Sequence, residues 1–329
     1  MIFIIDGSYF GDVSDDINLL GLLQRANSRK CFIYVTDHEH PSYQDWLGGL
    51  SKARRDAWLF QIDWAIRQSA THRIFRVSLV HASQSEWDAS PPRLSISDAL
   101  RLIDTPFRIV LENGRYDRAF LLSMMSGISR EYFEWLERSD QLIFWGAGGI
   151  GELRAVLDEQ VAIKDHRRLT HWVMFDSDAS SPGNRSNDAE RVIASCQASG
   201  LPFHCLERRA IENYLPKGAL YDWAGTRNHR TQRRPLVEAL YQMSDLQRHY
   251  FHMKSGFSAT PSAAEQALYA GLPQRVSSRL ASGIDKKLSE LFSAPGTARL
   301  REQIEREGSG EELAPSLSAL MEILRVPYG

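Results

Sequence analysis

Strand-like and helix-like segments alternate along the first two thirds of this chain, and that alternation limits the folds open to it. Short apolar runs recur as "MIFII", "CFIYVTD", "IFRVSLVHA", "FRIVLE", "QLIFWGAGG", "THWVMFDSD" and "LPFHCLE". Between most of them, apolar residues recur at helical spacing. Residues 15–26 carry such a pattern, as do 43–69 through Trp46, Leu47, Leu50, Ala53, Trp58, Leu59, Ile62 and Ile66. Further helices are expected over 117–136, 151–160 and 188–198. A strand followed by a helix and another strand closes most readily as a parallel pair, with the helix packed on a sheet face. The expected class is α/β. The polar, proline-containing stretch "SEWDASPPRLS" interrupts the pattern. It divides residues 1–104, a small α/β unit, from 105–216, where the order βαβαβαβ implies a second parallel sheet flanked by helices. After Pro216 the strand-like runs stop, and 217–329 reads as a helical C-terminal part. It ends in the charged amphipathic helix and flexible glycine segment of "GTARLREQIEREGSGEEL".

Composition narrows the function classes. With 329 residues, 43% of them hydrophobic and 24% charged, the chain is sized for about two domains and can bury a core. A net charge of -2 supplies no global attraction to nucleic acid, so any such binding needs a local patch. The three cysteines, Cys31, Cys196 and Cys205, show neither metal-ligand nor disulfide spacing, which favours a reducing compartment. "MIFIIDGSYF" is too short and lacks the basic start of a signal peptide. No apolar stretch approaches the roughly 20 residues that span a bilayer. A cytoplasmic protein without membrane contact is expected.

The chemistry concentrates in acids at strand ends. Glu112 closes "FRIVLE", and Asp176 and Asp178 close "WVMFDSD". Carboxylates at the ends of neighbouring parallel strands converge at the sheet edge where open α/β folds bind ligands. Asp176 and Asp178, two positions apart on a strand, would point to one face. Converging carboxylates repel unless a cation separates them, and an all-oxygen set suits Mg²⁺ or Mn²⁺. Asp117 follows the Asn-Gly turn after Glu112, at a helix start where it can also cap. Glu212 lies in "RRAIENYLP". The turn "GAGGIG", Gly146 to Gly151, has the outline of a dinucleotide fingerprint. Asp165, at the distance of the ribose-binding acid, does not end a strand-like run, so Gly148 and Gly149 are read as close packing. Asp6, Asp37 and Glu39 close the first two strands in the same manner, and faintly resemble the first carboxylates of PIN-type nucleases. They are read as ordinary strand-end polar residues. Arg227, Arg230, Arg233 and Arg234 lie in "GTRNHRTQRR" without an acid and could track a phosphate backbone. His249 and His252 carry no zinc signature and are read as incidental or as phosphate contacts.

A strand-end glutamate, a glycine-rich turn after the next strand and a D-x-D after the third occur here in the order Glu112, Gly146 to Gly151, Asp176/Asp178. This arrangement resembles the TOPRIM domain shared by topoisomerases, bacterial primases and OLD-family nucleases. The resemblance is good over about 106–216, weaker over 217–260, and covers nothing in 1–100. It implies a central TOPRIM-like sheet and a Mg²⁺- or Mn²⁺-dependent nuclease acting on DNA or RNA. Glu112, Asp176, Asp178 and Glu212 would be metal ligands. Asp117 would join them, one residue further from the glutamate than is usual in the family. "RRAIENYLP" and "HYFHMKSGF" resemble the later part of OLD-like nucleases, where a lysine, here Lys254, assists cleavage. The resemblance further implies an anti-phage defence effector restrained by a regulatory ATPase or another defence-system partner. No Walker motif of its own is present. The alternatives are a nucleotide- or NAD-binding protein built on "GAGGIG", and a non-catalytic interaction module of the same fold.

Overall fold

The computed structural model describes residues 1–11, 15–161, 168–226, 229–294 and 297–324. The chain is α/β and divides into two compact units. The first comprises Met1–Phe107 with Lys164–Thr170 and Ser318–Gly329, and the second Arg108–Ile163 with His171–Leu317. Among the described residues no helix is long and apolar enough to cross a membrane.

The first unit is built on four parallel strands, β1 (Ile2–Ile5), β2 (Phe32–Val35), β3 (Arg76–Leu79) and β4 (Arg93–Leu94), in the order β2-β1-β3-β4. Phe3, Ile5, Ile33, Val35 and Val77 are fully buried and form its core with Leu19, Leu22, Trp58 and Ala99 from the surrounding helices. The chain tail returns here, as the Phe75 N–H donates to the Glu322 carbonyl at 3.1 Å.

The second unit carries β5 (Phe107–Leu111), β6 (Leu142–Gly146), β7 (His171–Phe175) and β8 (Phe203–Cys205), in the order β6-β5-β7-β8. Strand β7 runs parallel to both β5 and β8. It is buried along its whole length, which is why its sequence is a continuous apolar run and not an alternation. Val110, Val173 and Phe175 pack on Leu153, Leu157, Ala189, Val192 and Cys196 of the helices beside the sheet. After Cys205 the described residues contain helices and loops only.

Some helices are divided where uninterrupted ones were expected. The pattern over 43–69 is two helices, Pro41–Gly49 and Lys52–Thr71, because Leu50 is extended between Gly49 and the Ser51 cap. The expected helix 117–136 is Gly114–Met124 and Gly127–Arg138, with Ser126 accepting the Ser129 N–H to restart the second. Residues 151–160 form a short helix, Ile150–Val156, that widens into a π turn over Leu157–Val161. The two-residue strand β4, inside the polar break, was too short to leave an alternation. Gly310, in the expected flexible tail segment, is packed: a Cβ there would sit 3.0 Å from the Met124 sulfur.

Candidate functional site

The C-terminal edge of the second sheet gathers the acids. Leu111 and Met174 are register partners on adjacent strands, so Glu112 and Asp176, one and two residues further on, leave the sheet side by side. The Asp176 N–H lies 3.4 Å from Glu112 Oε2 and donates to it. The backbone of Glu112 is fixed by the glycine turn, whose Gly148 and Gly149 N–H groups both donate to its carbonyl at 3.0 Å. Gly148 and Gly149 adopt φ of +98° and +131°, and a Cβ on either would meet nothing within 4 Å. They are present for their backbone conformation and not, as expected, for close packing. Close packing falls to Gly146, where a Cβ would stand 2.4 Å from the Gly114 nitrogen. With both N–H groups engaged by Glu112, the turn does not present them to a pyrophosphate.

Asp117 is buried, and its Oδ2 accepts the Asn113 N–H at 2.6 Å, so it does cap the turn after Glu112. Its charge also acts on Asp176. Past the end of β7 the chain does not continue as a strand. Ser177 turns inward and donates to the Arg208 carbonyl at 2.8 Å. Asp178 adopts φ of +47°, and its N–H donates to the Arg209 carbonyl at 2.9 Å. The strand alternation invoked for Asp176 and Asp178 therefore does not apply. A left-handed residue, tied to the segment before Glu212, sets the direction of Asp178.

The turn Ile211–Tyr214 brings in Glu212, which is 1% exposed. The preceding Ile211 N–H donates to Asp176 Oδ1 at 3.2 Å, joining this segment to the sheet edge. Lys254 Nζ lies 2.9 Å from Glu212 Oε1. The pair is close but poorly angled, since Oε1 has no partner in hydrogen-bond geometry among the described residues. Two further groups complete the surroundings. Arg209 places its charge against Asp178. His252, read as incidental or as a phosphate contact, uses Nδ1 to accept the N–H groups of Lys254 at 3.3 Å and Ser255 at 3.2 Å. The H-x-K spacing was visible, but the direction of the imidazole was not.

The electrostatics are those of negative charge short of compensation. Burial, then the Asp178 charge, pushes the Glu112 carboxyl up to about 7, although the Asp176 N–H and Lys254 oppose this. Burial likewise raises Asp117 to about 7, with Glu112 and Glu212 adding to it. Asp176 is raised well above the ordinary carboxylate value, by burial first and then by Glu112, Asp117, Glu212 and Asp178. Burial also raises Asp178, and Arg209 and Lys254 restrain it. Burial works against the Lys254 ammonium, yet Glu212, Asp176 and Glu112 hold it above the ordinary lysine value.

Among the described residues no three carboxylates, imidazoles or thiolates already stand as a metal cage. The donor chemistry nevertheless suits a hard divalent cation. The side-chain atoms gathered here are mostly oxygens, the carboxyls raise one another's proton affinity, and a deeply buried Glu212 oxygen lacks a well-angled donor.

The arginine segment is less free than its sequence implies. Arg227 lies outside the described residues. Arg234 pairs with Glu238 at 3.0 Å, one helical turn on. Arg233 stacks over Trp223 at 4.3 Å and pairs with Asp285 at 3.7 Å. Acids absent from the local sequence are thus supplied by the next turn and by a distant loop. Arg230 is exposed, and no ion pair to it forms among the described residues. No protein-family model, curated protein or solved structure matches this chain.

Proposed function

We propose that this protein is a divalent-metal-dependent nuclease whose second unit is TOPRIM-like and resembles that of OLD-family nucleases. One observation carries the reading. Carboxylates from separate chain segments, Glu112, Asp117, Asp176, Asp178 and Glu212, act on one another at a single sheet edge, with Lys254 among them. Ordinary folding has no use for such mutual repulsion, and a cation relieves it.

In this reading Glu112, Asp176 and Asp178 hold the cation, with Glu212 and Asp117 beside them. When bound, Mg²⁺ or Mn²⁺ would polarise the phosphoryl group and help ionise the attacking water. The chain's own residues orient the phosphodiester and balance its charge. Water oxygen bonds to phosphorus, the phosphorus–oxygen bond to the leaving sugar oxygen breaks, and the two products are a phosphate monoester and a hydroxyl. Lys254 faces the charge that grows on the phosphate oxygens. Arg230, exposed and without an ion pair among the described residues, would meet a passing backbone. A nuclease of this kind would need restraint, and a regulatory ATPase or other defence-system partner would supply it in an anti-phage effector.

The test is cleavage of plasmid DNA and of a single-stranded RNA with Mn²⁺, Mg²⁺ or a chelator. The reading expects cleavage of at least one substrate with metal, and its loss in Glu112→Ala and Asp176→Ala. Metal-independent cleavage, or full activity in both variants, would overturn it.

A further inference from the structure

We propose that Lys254 is the resident counter-cation of this site, one that yields Glu212 to an arriving divalent metal and then turns to the substrate phosphate. The inference rests on the metal-dependent reading above. It begins from the mismatch between the partners: Glu212 is 1% exposed on its side chain, whereas Lys254 is 40% exposed. A buried carboxylate without a partner is costly, so something positive must sit against it in the metal-free protein. Lys254 does so at 2.9 Å, but outside hydrogen-bond angles. The pair neutralises charge between a buried carboxylate and a side chain that is still partly open to solvent.

The backbone beneath Lys254 is, by contrast, heavily fixed. His252 Nδ1 accepts the Lys254 and Ser255 N–H groups, and the His252 carbonyl accepts the Gly256 N–H at 2.8 Å. The Met253 carbonyl accepts the Ile284 N–H at 2.7 Å. Gly256 and Gly283, with φ of +79° and +76°, interlock. A Cβ on Gly256 would stand 2.5 Å from the Gly283 nitrogen, and one on Gly283 would stand 2.7 Å from the Lys254 carbonyl carbon. The main chain cannot follow a moving charge. The four-carbon stem of lysine can, because its torsions are free where it is exposed.

A divalent ion and the ammonium compete for the charge of Glu212, since each weakens what the other gains from the same carboxylate. An ammonium displaced from Glu212 then turns to the phosphate that the metal-dependent reading brings to the site. His252 is then a positioning residue that keeps the root of the side chain in place through the exchange.

Calorimetric titration of Mn²⁺ into the full chain tests this without reference to activity. Competition for Glu212 predicts that Lys254→Met binds Mn²⁺ about tenfold more tightly than wild type, a coupling of ordinary size for two ligands that exclude each other. It also predicts that metal-free Lys254→Met melts lower than wild type and that saturating Mn²⁺ closes the gap. Lys254→Arg retains the charge and grips a carboxylate with a planar fork, so its Mn²⁺ affinity should be severalfold weaker than wild type. This second variant decides the matter if Lys254→Met does not fold. Equal or weaker binding in Lys254→Met, or unchanged or tighter binding in Lys254→Arg, overturns the exchange while leaving metal binding intact. Absence of Mn²⁺ binding in wild type and variants defeats the exchange and the metal-dependent reading together.

Discussion

Both units end their central strands in an acid, yet the two edges differ in kind. In the first unit Asp6 follows β1 and Asp37 lies two residues past β2, and both are exposed. Asp6 accepts the Ser8 N–H at 3.0 Å and the Ser8 hydroxyl at 2.6 Å, and Thr36 lies 3.4 Å away. Those hydrogen bonds from Ser8 hold its carboxyl below the ordinary value. In the second unit Glu112 and Asp176 are half-buried and face one another and three further acids, which raises both. An acid at a strand end is therefore not itself a site. Asp6 has its charge met by its own loop, whereas the charge of the second edge is left for something else to meet.

Activity should separate the edges most sharply. Asp176→Asn should lower metal-dependent cleavage by at least about 10³-fold, while Asp6→Asn should leave it within about twofold of wild type. Initial rates on one labelled substrate, for equally folded proteins judged by circular dichroism, measure this. Equal losses would erase the distinction.

Glycine packing gives the next largest effect, and here the two edges should behave alike. A Cβ on Gly7 would sit 2.1 Å from the Asp37 carbonyl oxygen, and one on Gly146 would sit 2.4 Å from the Gly114 nitrogen. Backbone cannot move aside as a flexible side chain can. Gly7→Ala and Gly146→Ala should each destabilise by about 2–3 kcal/mol. Gly48→Ala, in open space, should be neutral or slightly stabilising. Denaturant midpoints check all three.

The pH dependence of stability sharpens the comparison further. Glu112 and Asp117 titrate near 7 when folded, above their unfolded values, so between about 4.5 and about 7 the folded chain binds more protons. Stability is therefore lost as pH rises through that window. Asp6 acts in the opposite sense, since its lowered folded value gives stability present above the unfolded value and lost on acidification. Metal-free protein should melt several degrees lower at pH 8 than at pH 5.5. Asp176→Asn should reduce that difference, and Asp6→Asn should not. A melting temperature that rises from pH 5.5 to pH 8 in chelator would contradict the account.

The smallest effect concerns the arginines. Arg230→Ala should flatten the dependence of log affinity on log salt by about 0.7–0.9, one phosphate contact, without unfolding the chain. Arg233→Ala should instead lower stability, because its guanidinium is engaged by Trp223 and Asp285.

Much of this was legible before the structure. Continuous apolar runs such as "WVMF", alternating with helical patterns, read as buried parallel strands, and their order placed Glu112 and Asp176 at strand ends. The environments of those acids were not legible. Ser8, which satisfies Asp6, is two residues away, but nothing local to Glu112 reveals that Asp178 and Glu212, 66 and 100 residues away in sequence, act on it. The left-handed turn at Asp178 was hidden because aspartate tolerates that conformation without requiring it. Gly283 sits far from every motif, and only its contact with the Lys254 backbone gives it meaning.

The central claim is that the uncompensated edge of the second sheet, and not the satisfied edge of the first, holds a divalent cation. Anomalous scattering from crystals soaked in Mn²⁺ tests it most directly. The account predicts a manganese peak within about 2.0–2.6 Å of carboxylate oxygens drawn from Glu112, Asp176, Asp178 and Glu212, and none at Asp6 or Asp37. A peak at the first sheet's edge alone, or none at the second under saturating Mn²⁺, would contradict it.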